Sequence, residues 1–311
     1  MSRNFKIAIS MGCPAGIGPE IILKSLPFFS EYFSNLLIIG DKKVLKTTAD
    51  RLGVPYPEKV EVLSLSELDI TPGNPTLEGY RAMASYFQKA IELAKKGEVQ
   101  GIVTAPISKE GLAKAGIPFS GHTSWLVKEF NTEDYVMCFY GEKLIVSLVT
   151  IHIPLKKVPE SLSEEKIVKV CRLSYNFLQK IGKEGKIAVC GVNPHAGESG
   201  LLGDEEINII EKAVKRCAKM GLPVEGPFPA DTIFYWAYRG EYALVVAMYH
   251  DQGLAPFKLL HFEDGVNITL GLPIVRTSPC HGTAYNIAGK GIANPGSFTS
   301  ALKLAIKLLS C

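Results

Sequence analysis

At 311 residues the chain is too long for one small core and fits two α/β lobes. A hydrophobic fraction of 47% with 21% charged residues leaves no long polar tract, so the whole chain is expected to fold. Lys and Arg outnumber Asp and Glu by only three, and charge alternates in sign along stretches such as Glu205 to Lys219, which excludes a basic nucleic-acid surface.

In chain order, short apolar runs alternate with longer amphipathic ones. A strand is predicted at Lys6–Ser10 and a helix at Pro19–Phe29, then a strand at Leu36–Ile39 and a helix at Lys42–Leu52. The strand Val60–Leu63, the helix Leu77–Lys96, the strand Gly101–Ala105 and the helix Ser108–Ala115 follow. Further on come strands Leu144–Thr150, Lys186–Cys190 and Ala243–Ala247, with helices Glu164–Ile181, Asp204–Met220 and Ser297–Leu309. Such alternation predicts βα units around a largely parallel sheet. No repeat or Gly/Ser linker marks a boundary. Where the chemistry clusters places one lobe at residues 1–124 and 267–311 and the other at 125–266.

The segment MSRNFKIAIS lacks the apolar stretch of a signal peptide, and no window approaches the roughly 18 to 20 apolar residues that span a bilayer. No membrane partner and a cytoplasmic location are expected. Seven scattered cysteines without a C-x-x-C pair read as reduced, small core residues.

Four features carry candidate chemistry. Met11-Gly12-Cys13-Pro14-Ala15-Gly16-Ile17-Gly18-Pro19-Glu20 joins a strand to a helix, yet matches neither nucleotide fingerprint; a phosphate loop and a purely structural tight turn both remain open for it. His152, His195 and His250 each stand where an apolar strand-like segment gives way to a loop, the edge where α/β sheets collect their ligand groups. Any one of them alone reads more simply as a hydrogen-bonded loop residue. Together, with Glu198 and Asp251 nearby, they suit a first-row divalent ion with an open coordination position. Gly121-His122-Thr123 can offer an imidazole, a hydroxyl and backbone amides to an anion, or Thr123 can simply cap a helix. Finally, the tract from Tyr249 to Arg276 mixes polar with apolar residues without a sustained period; Lys258 and Arg276 suit a phosphate ester and Asn267 a hydroxyl or carboxylate, against the alternative of surface ion pairs.

The blocks GCPAGIGPE, TAPISK with AGIPFSGHT, NPHAGESGLLGDEE, GPFPADT, YHDQGLAPFK and VNITLGLPIVRTS resemble, in order and over nearly the whole chain, the 4-hydroxythreonine-4-phosphate dehydrogenase (PdxA) family of pyridoxal phosphate biosynthesis. His281 to Pro295, HGTAYNIAGKGIANP, is similar to the adenine-binding loop of isocitrate and isopropylmalate dehydrogenases. The resemblance implies a two-lobed α/β/α sandwich with its active site in the cleft, and a homodimer sharing one divalent ion (zinc, magnesium or cobalt) between subunits. By matching motifs, the metal ligands are His152, His195 and His250; the substrate contacts are His122, Thr123, Lys258, Asn267 and Arg276. Cofactor contacts to NAD or NADP fall on His281, Gly282, Ala284 and Asn294, and Asp231, Asp251 and Lys109 are the candidates for moving a proton. The implied reaction is NAD-dependent oxidation of 4-phosphooxy-L-threonine at C3, followed by decarboxylation to 3-amino-2-oxopropyl phosphate. A dehydrogenase of 4-phospho-D-threonate or 4-phospho-D-erythronate, and a phosphate acyltransferase of related architecture, are the alternatives. Relatives commonly carry acids where Cys13, Ser124 and Cys280 stand, which bears on substrate choice.

Overall fold

Runs such as Ile7–Ser10, Gly101–Thr104 and Tyr242–Ala247 are apolar on both faces, so they need cover on both sides, which a parallel sheet packed by helices provides. In the computed structural model, which describes residues 5–310, these runs are strands and are almost wholly buried. In chain order the strands are β1 Ile7–Ser10, β2 Leu36–Asp41, β3 Glu61–Ser66, β4 Gly101–Thr104, β5 Val136–Tyr140, β6 Ile145–Leu148, β7 Lys186–Cys190, β8 Val224–Phe228, β9 Tyr242–Ala247, β10 Val266–Leu270 and β11 Val275–Pro279.

The chain divides into two compact units, one running to Glu133 and resuming at Leu272, the other Asp134–Gly271. In the first, the strand order is β3-β2-β1-β4-β11, all parallel. Helices Lys42–Leu52 and Leu77–Lys95 are opened by Asp41 and Thr76, whose side chains accept the Val44 and Gly79 amides. In the second unit the order is β10-β5-β6-β9-β7-β8, with β5 antiparallel to both neighbours and the remaining strands parallel. The units divide later in the chain than the expected boundaries at 124/125 and 266/267, because the helix His122–Glu129 stays with the first and β10 pairs with β5 in the second.

Other departures from the predicted elements have local causes. The helix expected over Pro19–Phe29 ends at Ser25 and tightens into a 3-10 segment Leu26–Asn35, since Pro27 has no amide to continue the α ladder. The stretch expected as one helix over Asp204–Met220 begins as a single π-helical segment, Glu206–Ile210, before the α-helix Glu211–Lys219. The aperiodic tract after Tyr249 holds the helix His250–Leu260 and then β10 and β11. Among the described residues no helix is long and apolar enough to cross a membrane, and the cysteines carry free thiols; Cys311 lies outside those residues.

Gly12 is the tightest turn in the first unit: its φ is +72°, and an added Cβ would lie 2.4 Å from the Pro106 carbonyl oxygen. Gly12→Ala is therefore expected to lower unfolding free energy by roughly 2–4 kcal/mol, combining left-handed strain with overpacking. Urea unfolding measures it, and wild-type stability would refute the constraint.

Candidate active site

In the second unit, β6, β9 and β7 lie side by side and parallel, so the chain leaves all three at one edge. His152 follows β6, where Val149 and Thr150 still donate amides to Ala247 and Met248. His250 follows β9 and opens the helix His250–Leu260. These two imidazoles meet, their ring centroids 5.5 Å apart and inclined at 45°. The Asp251 carboxylate lies 3.0 Å from His250 Nδ1, the arrangement that fixes a ligand's tautomer and leaves Nε2 for a metal. His195 follows β7 but stands apart, exposed, in a pocket of about 430 Å³ lined also by Glu198, Glu211, Lys215 and Pro227. Among the described residues no three His, Cys, Asp or Glu side chains are placed to hold a metal, so this unit offers half of a site, His152 with His250, which suits a divalent ion in donor type and spacing.

Gln252, unremarked in the sequence, joins two of these loops: its Oε1 accepts the Met248 amide at 2.7 Å and its Nε2 donates to the Gly191 carbonyl at 2.7 Å, tying the end of β9 to the end of β7. Only its place two residues after His250 could have marked it. Asp231 lies exposed in the first turn of the helix Ala230–Tyr238, where a carboxylate suits the helix dipole, but Pro229, not Asp231, occupies the cap. Lys258 is exposed near the end of the helix His250–Leu260. Asn267 projects from β10 with its Oδ1 buried and without a hydrogen-bond partner, as a binding group awaiting a donor would be.

In the first unit, Arg276 on β11 is 3% exposed and donates to Thr104 Oγ1 of β4 at 3.0 Å. Burial lowers its pKa to about 10, which leaves it charged at neutral pH. His122 begins the helix His122–Glu129 and packs edge-on against Phe87, ring centroids 4.5 Å apart. Its Nε2 is buried and unpartnered, and burial, aided by the Arg276 charge, holds its pKa well below 6.5. A neutral imidazole beside a buried guanidinium is suited to receive an anion. Thr123 is the second helical residue, and Gly121 takes the cap without a side-chain bond, so the capping alternative for Thr123 does not hold. Lys109, on the helix Lys109–Lys114, is exposed.

The segment Met11–Glu20 is buried throughout, and its backbone serves structure: Cys13 N donates to Pro106 O, Ile17 N to Thr283 O, and Ala15 O accepts the Gly73 amide. The tight-turn reading therefore prevails over a phosphate loop. That turn braces the segment beginning at His281: Tyr285 OH donates to Cys13 Sγ at 3.2 Å, and burial pushes both the phenol and the thiol up in pKa. His281 Nε2 is buried and unpartnered, Gly282 faces open space, and Ala284 has φ +44°. Asn294 Oδ1 accepts the Gly296 amide at the start of the helix Gly296–Ser310. With Nδ1 donating to the Gly282 carbonyl, the neutral ring leaves Nε2 as an unpartnered acceptor, and beside an open glycine it leaves room for a ligand such as a dinucleotide.

The folds of the two units, with His152 and His250 brought together beyond the ends of parallel strands, are those of a dehydrogenase-like α/β protein. The family described as "Pyridoxal phosphate biosynthetic protein PdxA" matches residues 32–305, and the chain belongs to that family. It is 44% identical to a 4-hydroxythreonine-4-phosphate dehydrogenase of Aquifex aeolicus, covering 98% of this chain and 99% of that protein. To a D-threonate 4-phosphate dehydrogenase of Pectobacterium atrosepticum it is 42% identical, over 97% and 98% of the two chains. A crystal structure of a 4-hydroxythreonine-4-phosphate dehydrogenase from Klebsiella pneumoniae superposes with a TM-score of 0.87 at 39% identity, over 100% of this chain and 99% of that one.

His122 and His281 both have depressed pKa values, so below about pH 6.5 the unfolded chain binds protons that the folded chain refuses. Stability is expected to be full above that pH and to fall as pH drops below it. His122→Phe, which keeps the ring contact, should reduce the decline, measured as the difference in urea unfolding free energy between pH 7.5 and pH 5.5. An unchanged pH slope would contradict the assignment of a neutral His122.

Proposed function

We propose that the chain oxidises the C3 hydroxyl of 4-phosphooxy-L-threonine with NAD or NADP and a bound divalent ion, the product then losing CO₂ to give 3-amino-2-oxopropyl phosphate. The observation that carries the reading is the His152–His250 pair, 5.5 Å between ring centroids and backed by Asp251. When bound, the ion supplies Lewis acidity that lowers the pKa of the substrate hydroxyl and favours the oxidised ketone, while the nicotinamide accepts the hydride. In the first unit, Arg276, charged and buried, and neutral His122 bind the phosphate or carboxylate, with Thr123 adding a contact; Lys258, in the second unit, is a further proposed substrate contact. Asn267 orients a hydroxyl through its unpartnered Oδ1. His281 and Gly282, with Ala284 and Asn294, would hold the dinucleotide's adenine end. Asp251, already hydrogen-bonded to His250, orients that ligand, Asp231 is the carboxylate proposed to take the hydroxyl proton, and Lys109 would approach the substrate.

The third metal ligand is read as His195 of a second copy of the chain. Support comes from its separation from the other two histidines and from the exposed apolar groups of the second unit, with Leu201 80%, Tyr235 57% and Phe262 75% exposed. A homodimer would cover such surface. D-threonate 4-phosphate is a second substrate reading, favoured because relatives of either name match at nearly equal identity.

Incubating metal-loaded protein with each substrate and following NADH absorbance decides between them; no NADH with either would refute the reading. Sharing of the metal is tested by mixing inactive His195→Ala and His152→Ala proteins. Random re-pairing should restore about a quarter of wild-type turnover, because half the dimers then hold one intact site. Persistent inactivity of the mixture, with dimers shown to exchange, would place all three ligands in one chain.

A further inference from the structure

Beyond β7 the chain makes a turn that ordinary residues avoid. His195, Ala196, Gly197, Glu198, Ser199 and Gly200 all have positive φ, at +53°, +51°, +80°, +44°, +55° and +94°, and four of the six carry a Cβ. Left-handed conformation is costly for an L-residue and normally occurs singly, so six in succession require support from outside the turn.

That support is a carboxylate. Glu206 opens the π-helical segment Glu206–Ile210 and is 2% exposed. Its Oε1 accepts the amides of Val192 at 2.7 Å and Asn193 at 2.8 Å, and its Oε2 accepts Asn193 Nδ2 at 2.9 Å. Asn193 Nδ2 is held in turn by Glu205 Oε2 at 2.6 Å. Two glycines make room: a Cβ at Gly191 would come within 2.9 Å of Glu206 Oε1, and one at Gly197 within 2.6 Å of Oε2. Charge-assisted bonds to amides on the approach to the turn therefore meet a backbone that can enter only because glycine precedes and interrupts it. The side chain of His195 has little hold of its own, being exposed with Glu198 3.7 Å from Nδ1, so the imidazole goes where the turn puts it.

We infer that Glu206 is a positioning residue for His195, its buried carboxylate locking the left-handed turn from which that imidazole is presented to a metal. The inference rests on the metal reading for its purpose, though not for its geometry. A π-helical turn suits the task because its extra residue displaces one side chain from the regular helical face.

The test substitutes Glu206→Gln, which keeps shape but removes the charge behind the Val192 and Asn193 amide bonds and replaces one of the two acceptor oxygens with an NH2 that faces a donor, Asn193 Nδ2. Two quantities are read: amide hydrogen exchange across residues 192–202, and Co²⁺ affinity with its visible absorption. The expected result is exchange about tenfold faster or more in that segment alone. Co²⁺ affinity should fall about tenfold or more, with an altered cobalt spectrum. Unchanged exchange overturns the proposal, and so does faster exchange with wild-type cobalt binding. A wild-type protein that takes no cobalt overturns the metal reading instead, while the exchange comparison still decides whether Glu206 locks the turn. Should Glu206→Gln fail to fold, Asn193→Ala, which removes one donor to the same carboxylate, gives the same two readouts.

Discussion

The second unit depends on the register in which β9 lies between two parallel neighbours. Val246 is level with Ser147 of β6 and with Val189 of β7, so the three chains reach the edge of the sheet together. His250, His152 and His195 come four, five and six residues after those level positions. Apolar burial holds the register: Val245, Val246 and Ala247 are fully buried, and the helix that follows His250 lies close enough for a Cβ on Gly253 to strike Val146 at 2.6 Å. A glycine in the first turn of that helix is thus the condition for seating it on the strands that deliver the histidines. Gln252 then satisfies one buried amide and one buried carbonyl that the edge would otherwise leave open, and does so across two loops.

The first unit answers a different problem, how to bury a cation without losing its charge. Thr104, on the strand beside Arg276, accepts one guanidinium N–H without cancelling its charge. His122 is held neutral in the same neighbourhood, which avoids setting a second positive charge beside the first. The charge offered to an anion is therefore concentrated on one planar group, with the directional bonding that phosphate and carboxylate recognition uses. Electrostatics and packing agree, since the Phe87 contact that desolvates His122 also fixes its ring.

Much of this was legible in the sequence, and the limits have physical causes. Strands with continuous apolar runs, such as β1, β4, β7 and β9, stood out because parallel sheets bury both faces. Of the four missed, three carry polar or Pro residues inside the strand: VNITL in β10, VRTSP in β11 and VEGPF in β8; the fourth, VMCFY in β5, is apolar throughout and was passed over despite its continuous run. In β10 and β11 the interruptions are Asn267 and Arg276 themselves, so site residues erased the pattern that would have located their strands. The helix His250–Leu260 escaped for a similar reason, holding Gly253 and Pro256 against propensity because tertiary packing sustains it. His152, His195 and His250 were visible because their type is rare and their setting repeats. Glu206 was not: in the charged stretch from Asp204 onward nothing separates it from Glu205, and only the fold buries one and leaves the other nearer the surface.

The three positions where family relatives commonly carry acids take on meaning in this setting. Cys13 receives the Tyr285 hydroxyl, and Ser124 Oγ donates to the Gly121 carbonyl and accepts from Ser120, so each meets a neutral partner within the first unit. Cys280 differs, because it lies within electrostatic reach of Arg276. An ionised acid at that position would set a full negative charge near the guanidinium, where this chain places a thiol. Coulomb attraction in a partly buried setting is several times stronger than in water, so an exchange of acid for thiol beside Arg276 weighs on that guanidinium far more than the same exchange at the surface would.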